Sequence, residues 1–179
     1  MPPRRLLVLI LLGFASGLPL FLTGSTLKAW MTDEGLSLGT TGLFSFVTLP
    51  YSLKVFWAPL VDRYALPGLG RRRGWLLATQ AAMAMALVLL ARSEPHLDLL
   101  RVVILALAVA VASATFDIAV DAWRAEALEP KHLGLGNSIH IAAYRVAMLV
   151  SGGLALIVAQ AYGWRVTYLG MAFLTVLGM

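Results

Sequence analysis

Apolar residues in this chain come in long runs, and most of its charges fall in the short stretches between them. That layout is the strongest constraint on the fold. Backbone N–H and C=O groups in a bilayer find no water, so such runs must satisfy their hydrogen bonds internally, as helices. Hydrophobic residues make up 60% of the 179 and charged residues 13%, with a mean hydropathy of +0.83. A soluble domain of this size has no use for so much apolar surface. The expected fold is an all-α polytopic membrane protein, a single bundle over residues 1–179 with six transmembrane helices. Their expected bounds are about 6–30, 40–61, 75–91, 102–123, 137–162 and 164–179. The first run opens with a basic segment and contains Ala15 and Gly17, as a cleaved signal would, but it continues past Pro19 to Trp30 and so reads as a span.

Topology accounts for the charge. Residues 1–5, 62–73 and 124–136 hold eight Lys or Arg, and the loops on the other side hold Arg92, Arg101 and Arg165. That excess places the N-terminus in the cytoplasm. The formal charge of +5 therefore calls for no nucleic-acid partner; the bilayer is the expected one. The absence of cysteine excludes disulfides and thiolate metal sites. Trp30, Trp57, Trp75, Trp123 and Trp164 lie at or near span ends, as an interfacial aromatic belt requires. Gly13-x-x-x-Gly17 offers close helix approach, Pro19 a kink, and Pro67-Gly68 a turn in the basic loop.

A weak internal repeat is also present. Leu27-Lys28-Ala29-Trp30 is echoed by Val120-Asp121-Ala122-Trp123, and Leu36-Ser37-Leu38-Gly39-Thr40 by Leu133-Gly134-Leu135-Gly136-Asn137. The two three-helix units would point oppositely, the 3+3 inverted repeat from which each half of a major-facilitator transporter is built.

Charges inside spans single out candidate function. Asp117 and Asp121, four residues apart, share one face of the fourth span. Intramembrane carboxylates mark proton relays, substrate paths or buried ion pairs. By helical rise, Lys54, Asp117 and Arg145 lie about 10–13 Å into their spans, at similar depth. Two readings stand for them: a proton-sensitive cluster, or a permanent ion pair that only holds helices together. Asp121 lies shallower, and a structural or gating bridge to the Arg71, Arg72 and Arg73 loop is expected for it. Asp62 either caps a helix end at a cytoplasmic gate or is a solvated loop charge. Lys28 either faces a central cavity or snorkels outward. Gln80 reads as a helix-to-helix hydrogen bond or a cavity group. His140 and Tyr144 either line the cavity or pack, and Trp30 is a possible sugar platform. His96 and His132 read as solvated loop residues.

Enzymatic signatures are missing. The two aspartates ride one helix, where an aspartyl-protease dyad needs two. There is no His-Glu-x-x-His, Gly-x-Ser-x-Gly or phosphate-cradling glycine loop.

Five stretches carry a resemblance. LGFASGLPLFLTGSTLKAW (Leu12–Trp30), WAPLVDRY (Trp57–Tyr64), GRRRGWLLATQ (Gly70–Gln80), FDIAVDAW (Phe116–Trp123) and YRVAMLVSGGLAL (Tyr144–Leu156) closely resemble the AmpG muropeptide permeases, in order and spacing. The resemblance implies the N-terminal half of a major-facilitator fold in the bacterial inner membrane, lacking the C-terminal half as its partner. It also implies proton-driven import of N-acetylglucosaminyl-1,6-anhydro-N-acetylmuramic acid, with or without peptide. The proton is the coupling ion and no other cofactor is expected. Lys28 would then meet the lactyl carboxylate. The Asp62–Arg73 loop looks like the superfamily's Gly-x-x-x-Asp-Arg-x-Gly-Arg-Arg signature, which makes Asp62, Arg63, Arg71, Arg72, Arg73 and Asp121 the expected cytoplasmic gate. Ala58 replaces the leading Gly, and extra residues precede the arginine run. Two alternatives remain: an acetyl-CoA or other small-anion transporter of a related family, and a non-transporting scaffold or regulatory half.

Overall fold

The computed structural model describes residues 3–66 and 70–177. Helices dominate, and among the described residues there is no strand beyond one isolated bridge between Leu66 and Gly70. The Pro67-Gly68 turn and the end of the sixth expected span lie outside the described residues. Helix α1 (Pro3–Thr23) runs through Pro19 without a break; the interruption falls at Gly24, after which α2 (Ser25–Asp33) continues. Helices α6 (Arg71–Leu90) and α7 (Leu99–Ala127) follow later in the chain, with Asp98 capping α7 by accepting from the Arg101 N–H. Helix α8 (Leu133–Leu149) passes through a π turn, Val150–Leu154, into α9 (Ala155–Tyr162). Helix α10 (Trp164–Val176) closes the described chain.

Among the described residues, four helical segments are long and apolar enough to cross a membrane: Pro3–Asp33, Arg71–Leu90, Leu99–Ala127 and Pro130–Tyr162. The expected second span is not one α-helix. It is divided into α3 (Leu38–Leu43), a 3-10 stretch (Phe44–Thr48), α4 (Leu49–Leu53), a second 3-10 stretch (Lys54–Phe56) and α5 (Ala58–Arg63). Two prolines explain the division. Pro50 and Pro59 lack the N–H that would reach back one turn, and each sits at the start of a new α segment just after a 3-10 stretch. Helix α10, with 13 described residues, is about 20 Å long, short of a hydrocarbon core of about 30 Å.

The bundle is built on α1. A Cβ at Gly13 would lie 2.6 Å from the His140 carbonyl, and one at Gly17 would overlap the Tyr144 carbonyl and reach within 2.8 Å of the Ala147 methyl. Only hydrogen fits, which is how small residues let helix backbones approach in membranes. The contacts advance together, Gly13 with His140 and Gly17 with Tyr144, so α1 and α8 run in the same direction. Cross-helix hydrogen bonds fix the rest. Thr26 Oγ1 donates to the Ser151 carbonyl at 2.7 Å, within the π turn, and the Tyr168 hydroxyl to Leu22 O at 3.0 Å. One core gathers around Leu18, Leu22, Trp30 and Tyr168, and a second around Leu12, Val61, Phe116 and Val120.

The two ends of the bundle differ. At one, Arg72 bridges Asp62 and Glu126, so the segment ending at Arg63, the start of α6 and the end of α7 come together. At the other, His96 pairs with Glu34 at 2.9 Å and Trp164 Nε1 donates to Asp33 at 2.7 Å. The grouping matches the sidedness read from the charges. His96 is thus paired rather than merely solvated, although it stays exposed.

Gly17→Leu is expected to destabilise the protein by about 1–3 kcal/mol, since neither backbone can yield without moving a helix. Gly153→Ala, where a Cβ meets nothing within 4 Å, should be close to neutral. Unfolding in detergent followed by circular dichroism measures both; equal stability of the two variants would contradict the packing.

Candidate functional site

A cavity of about 540 Å³ opens between α1, α7, α8 and the 3-10 stretch at Lys54. Each element contributes one face. From α1 come Ser16 and Leu20, spaced by one turn and set beside the glycines that seat α8. From α7 come Asp117, Asp121 and Arg124, at i, i+4 and i+7 along one stripe. From α8 come Asn137, His140, Ile141, Tyr144, Arg145 and Met148.

The central feature is an ion pair. Lys54 Nζ lies 3.7 Å from Asp117 Oδ2, with the carboxylate side chain 15% exposed and the ammonium side chain 32%. The tighter 3-10 pitch between Pro50 and Pro59 is where Lys54 leaves the chain. The other carboxylate oxygen, Asp117 Oδ1, is buried and has no hydrogen-bond partner, and the same holds for Ser16 Oγ and His140 Nδ1. Their residues line the cavity, but the atoms themselves are enclosed, and His140 Nδ1 is turned into the α1 seam, 3.1 Å from where a Cβ on Gly13 would sit. Asp121 pairs with Arg124 on its own helix at 2.8 Å. Arg145 lines the same cavity, is exposed, and among the described residues makes one side-chain hydrogen bond, to the Met148 sulfur at 3.8 Å.

Asp121 therefore does not bridge to the arginine run. The spacing that sets it on Asp117's face turns it away from α6. Glu126, nine residues beyond Asp117 and so about 180° around the helix, faces α6 instead. Glu126 Oε1 accepts from Arg72 Nε and Nη2 at 3.0 and 2.7 Å, while Arg72 Nη1 reaches Asp62 Oδ1 at 2.7 Å. Arg71 approaches the same glutamate at 3.7 Å. Arg73 makes no ion pair among the described residues, and Arg63 lies 5.9 Å over the Tyr64 ring. Glu126 was the residue missed. Helical phase from Asp117 was the available signal for it. In the connection that follows, the Lys131 ammonium at 2.9 Å holds the Glu129 carboxyl below its ordinary range.

The other candidates lie elsewhere. Lys28 Nζ donates to Ser45 Oγ at 2.8 Å and is not on this cavity. Gln80 is buried and donates to the Thr175 carbonyl at 2.6 Å, tying α6 to α10. Trp30 is 2% exposed and packs against Trp164 and Tyr168, with centroids at 6.0 and 4.9 Å, so it belongs to the core rather than to a sugar platform. Among the described residues no group of acidic, histidine or cysteine side chains could hold a metal ion.

The family model described as acetyl-coenzyme A transporter 1 matches residues 5–100. The chain is 47% identical over 173 residues to the anhydromuropeptide permease of Escherichia coli (strain K12), covering 96% of this chain and 35% of that protein. It is 45% identical over 176 residues to an uncharacterized protein of Haemophilus influenzae, covering 98% and 41%. It is 34% identical over 177 residues to putative transporter AmpG 4 of Rickettsia conorii, covering 96% and 43%. The chain thus spans well under half the length of these relatives. Those with a functional name are permeases or transporters, not enzymes.

Removing one partner of the Lys54–Asp117 pair leaves the other charge uncompensated, which costs more than losing both. Lys54→Met is therefore expected to destabilise the protein more than the double variant with Asp117→Asn. Arg145→Met should combine additively with Asp117→Asn. Detergent unfolding of the six proteins completes both cycles, and strict additivity for Lys54 with Asp117 would break the pairing.

Proposed function

This chain belongs to the AmpG-type permease family, and from that membership we propose that it forms part of a proton-coupled secondary transporter. Its cargo is N-acetylglucosaminyl-1,6-anhydro-N-acetylmuramic acid, free or carrying peptide, imported across the bacterial inner membrane for cell-wall recycling. One observation carries the mechanism: the Lys54–Asp117 pair set deep in a polar cavity between helices. A proton reaching Asp117 cancels its charge and frees Lys54, so the attraction joining the 3-10 stretch to α7 switches off. Loss of that attraction biases the balance between two arrangements of the helices. The unpaired Oδ1 of Asp117, a residue on the cavity wall, supports a proton binding there.

In this reading the chain is the N-terminal half of a major-facilitator fold, with six crossings arranged as 3+3 inverted repeats and its N-terminus in the cytoplasm. The common direction of α1 and α8 supports it. Two spans running the same way need an odd number of crossings between them, and 38–63, α6 and α7 supply three. Asp62, Arg71 and Arg72, with Glu126 in place of Asp121, would then form a latch at the cytoplasmic end. Breaking it would let that end open.

Cells expressing this sequence within a protein of its relatives' length should take up the labelled disaccharide saturably. A protonophore and Asp117→Asn should each abolish uptake. Uptake that survives Asp117→Asn would keep the cargo and return this carboxylate to a structural role. No uptake by a well-inserted protein would reject the muropeptide cargo, and labelled acetyl-CoA is then the probe to use. Alkaline phosphatase fused after Arg92 should be active and after Lys131 inactive; the reverse pattern would invert the orientation.

A further inference from the structure

The cavity's charges do not balance. Lys54 is taken by Asp117 and Arg124 by Asp121, which leaves Arg145 without an acidic partner among the described residues. Leaving His140 aside, the acidic and basic side chains lining the cavity sum to a formal charge of +1. Arg145 is nine residues beyond Gly136, about 13 Å along α8. It is exposed on the open cavity, where a counter-ion entering from outside can reach it. No side chain among the described residues is ion-paired with it, and its hydrogen-bond contact is the Met148 sulfur at 3.8 Å.

The geometry points to Arg145 as the anchor for a carboxylate on the cargo, a role the lactyl group of a muramic acid fits in the peptide-free cargo, since attaching peptide turns that carboxylate into an amide. This assignment rests on the cargo reading above and moves carboxylate recognition from Lys28 to Arg145. The guanidinium suits the task because its planar fork meets both carboxylate oxygens at once, which an ammonium cannot do. Its neighbours on α8 suit a sugar acid as well. Asn137, two turns away on the same face, offers an amide, while Ile141 and Met148 give apolar wall. Lys28 is engaged by Ser45 outside the cavity, so it does not compete. Cargo recognition and the Lys54–Asp117 pair thus occupy one cavity but separate groups.

Two probes separate this assignment from the cargo reading itself. One is the disaccharide N-acetylglucosaminyl-anhydro-N-acetylmuramic acid; the other is the same sugar with its lactyl carboxylate converted to the neutral methylamide. Binding of each is measured to the protein in detergent, for wild type, Arg145→Gln, Arg145→Lys and Lys28→Gln. Wild type is expected to prefer the acid at least tenfold. Arg145→Gln should erase the preference while holding methylamide affinity within about twofold, since only the charge-assisted bonds are lost. Arg145→Lys should keep part of the preference, and Lys28→Gln all of it. Preference that survives Arg145→Gln, or vanishes in Lys28→Gln, overturns the assignment. Equal binding of both probes to wild type also overturns it but leaves the cargo standing. If neither probe binds, the cargo reading falls and this inference with it.

Discussion

The close approach of α1 to α8 is the constraint on which the rest depends. Gly13 and Gly17 lie directly against carbonyl groups of His140 and Tyr144. In a bilayer there is little hydrophobic drive to join two helices, so contact between bare backbones must supply the packing. That contact has a consequence beyond stability. It sets Ser16 and Leu20 beside the Asn137–Met148 face of α8 and so fixes one side of the cavity. Leu128 closes the lower end of the seam by packing where a side chain at Gly136 would otherwise sit.

Charge is distributed by depth. At the bundle end, Arg72 reaches two carboxylates that are each about half exposed, so water shares the cost of holding them. Deeper, Asp117 is mostly enclosed and depends on a single partner at 3.7 Å. An interaction that long, with one oxygen left orphaned, is poor glue compared with the two short bonds at Arg72. The difference suits the division proposed above, with a firm latch at the surface and a pair inside that a proton can release.

One departure from regular helix falls at the cavity and another where α8 and α9 meet α1 and α2. The 3-10 turn between Pro50 and Pro59 presents Lys54. The π turn at Val150–Leu154 lets the Ser151 carbonyl accept from Thr26, and Gly152 admits the Phe21 ring. Such turns recur at functional positions because they redirect side chains and carbonyls that regular helix would keep in register. Elsewhere polar groups are used structurally: the indoles of Trp30, Trp57, Trp75 and Trp164 all find oxygen acceptors within the chain.

The sequence by itself determined the all-helical class, the grouping of loops by end, the glycine contact of α1 and the similar depth of Lys54 and Asp117. Each of these follows from hydropathy, from 3.6-residue spacing or from the size of one residue, all properties of a local window. It also located the prolines, though not their effect of dividing residues 38–63 into α and 3-10 pieces. Partner choice was settled only in three dimensions. Glu126 found Arg72 because the rotation of α7 about its axis depends on packing against α1 and α6, and Asp121, turned away from α6, was left to Arg124 three residues along its own helix. Trp30 went to the core because Trp164 and Tyr168, more than a hundred residues later, arrive beside it. Gln80 was committed to Thr175 and Lys28 to Ser45 by neighbours that no window around either residue contains. Arg145 kept its charge unmatched for the same reason. Depth is written along a helix, but the direction a side chain faces is decided by what packs around it.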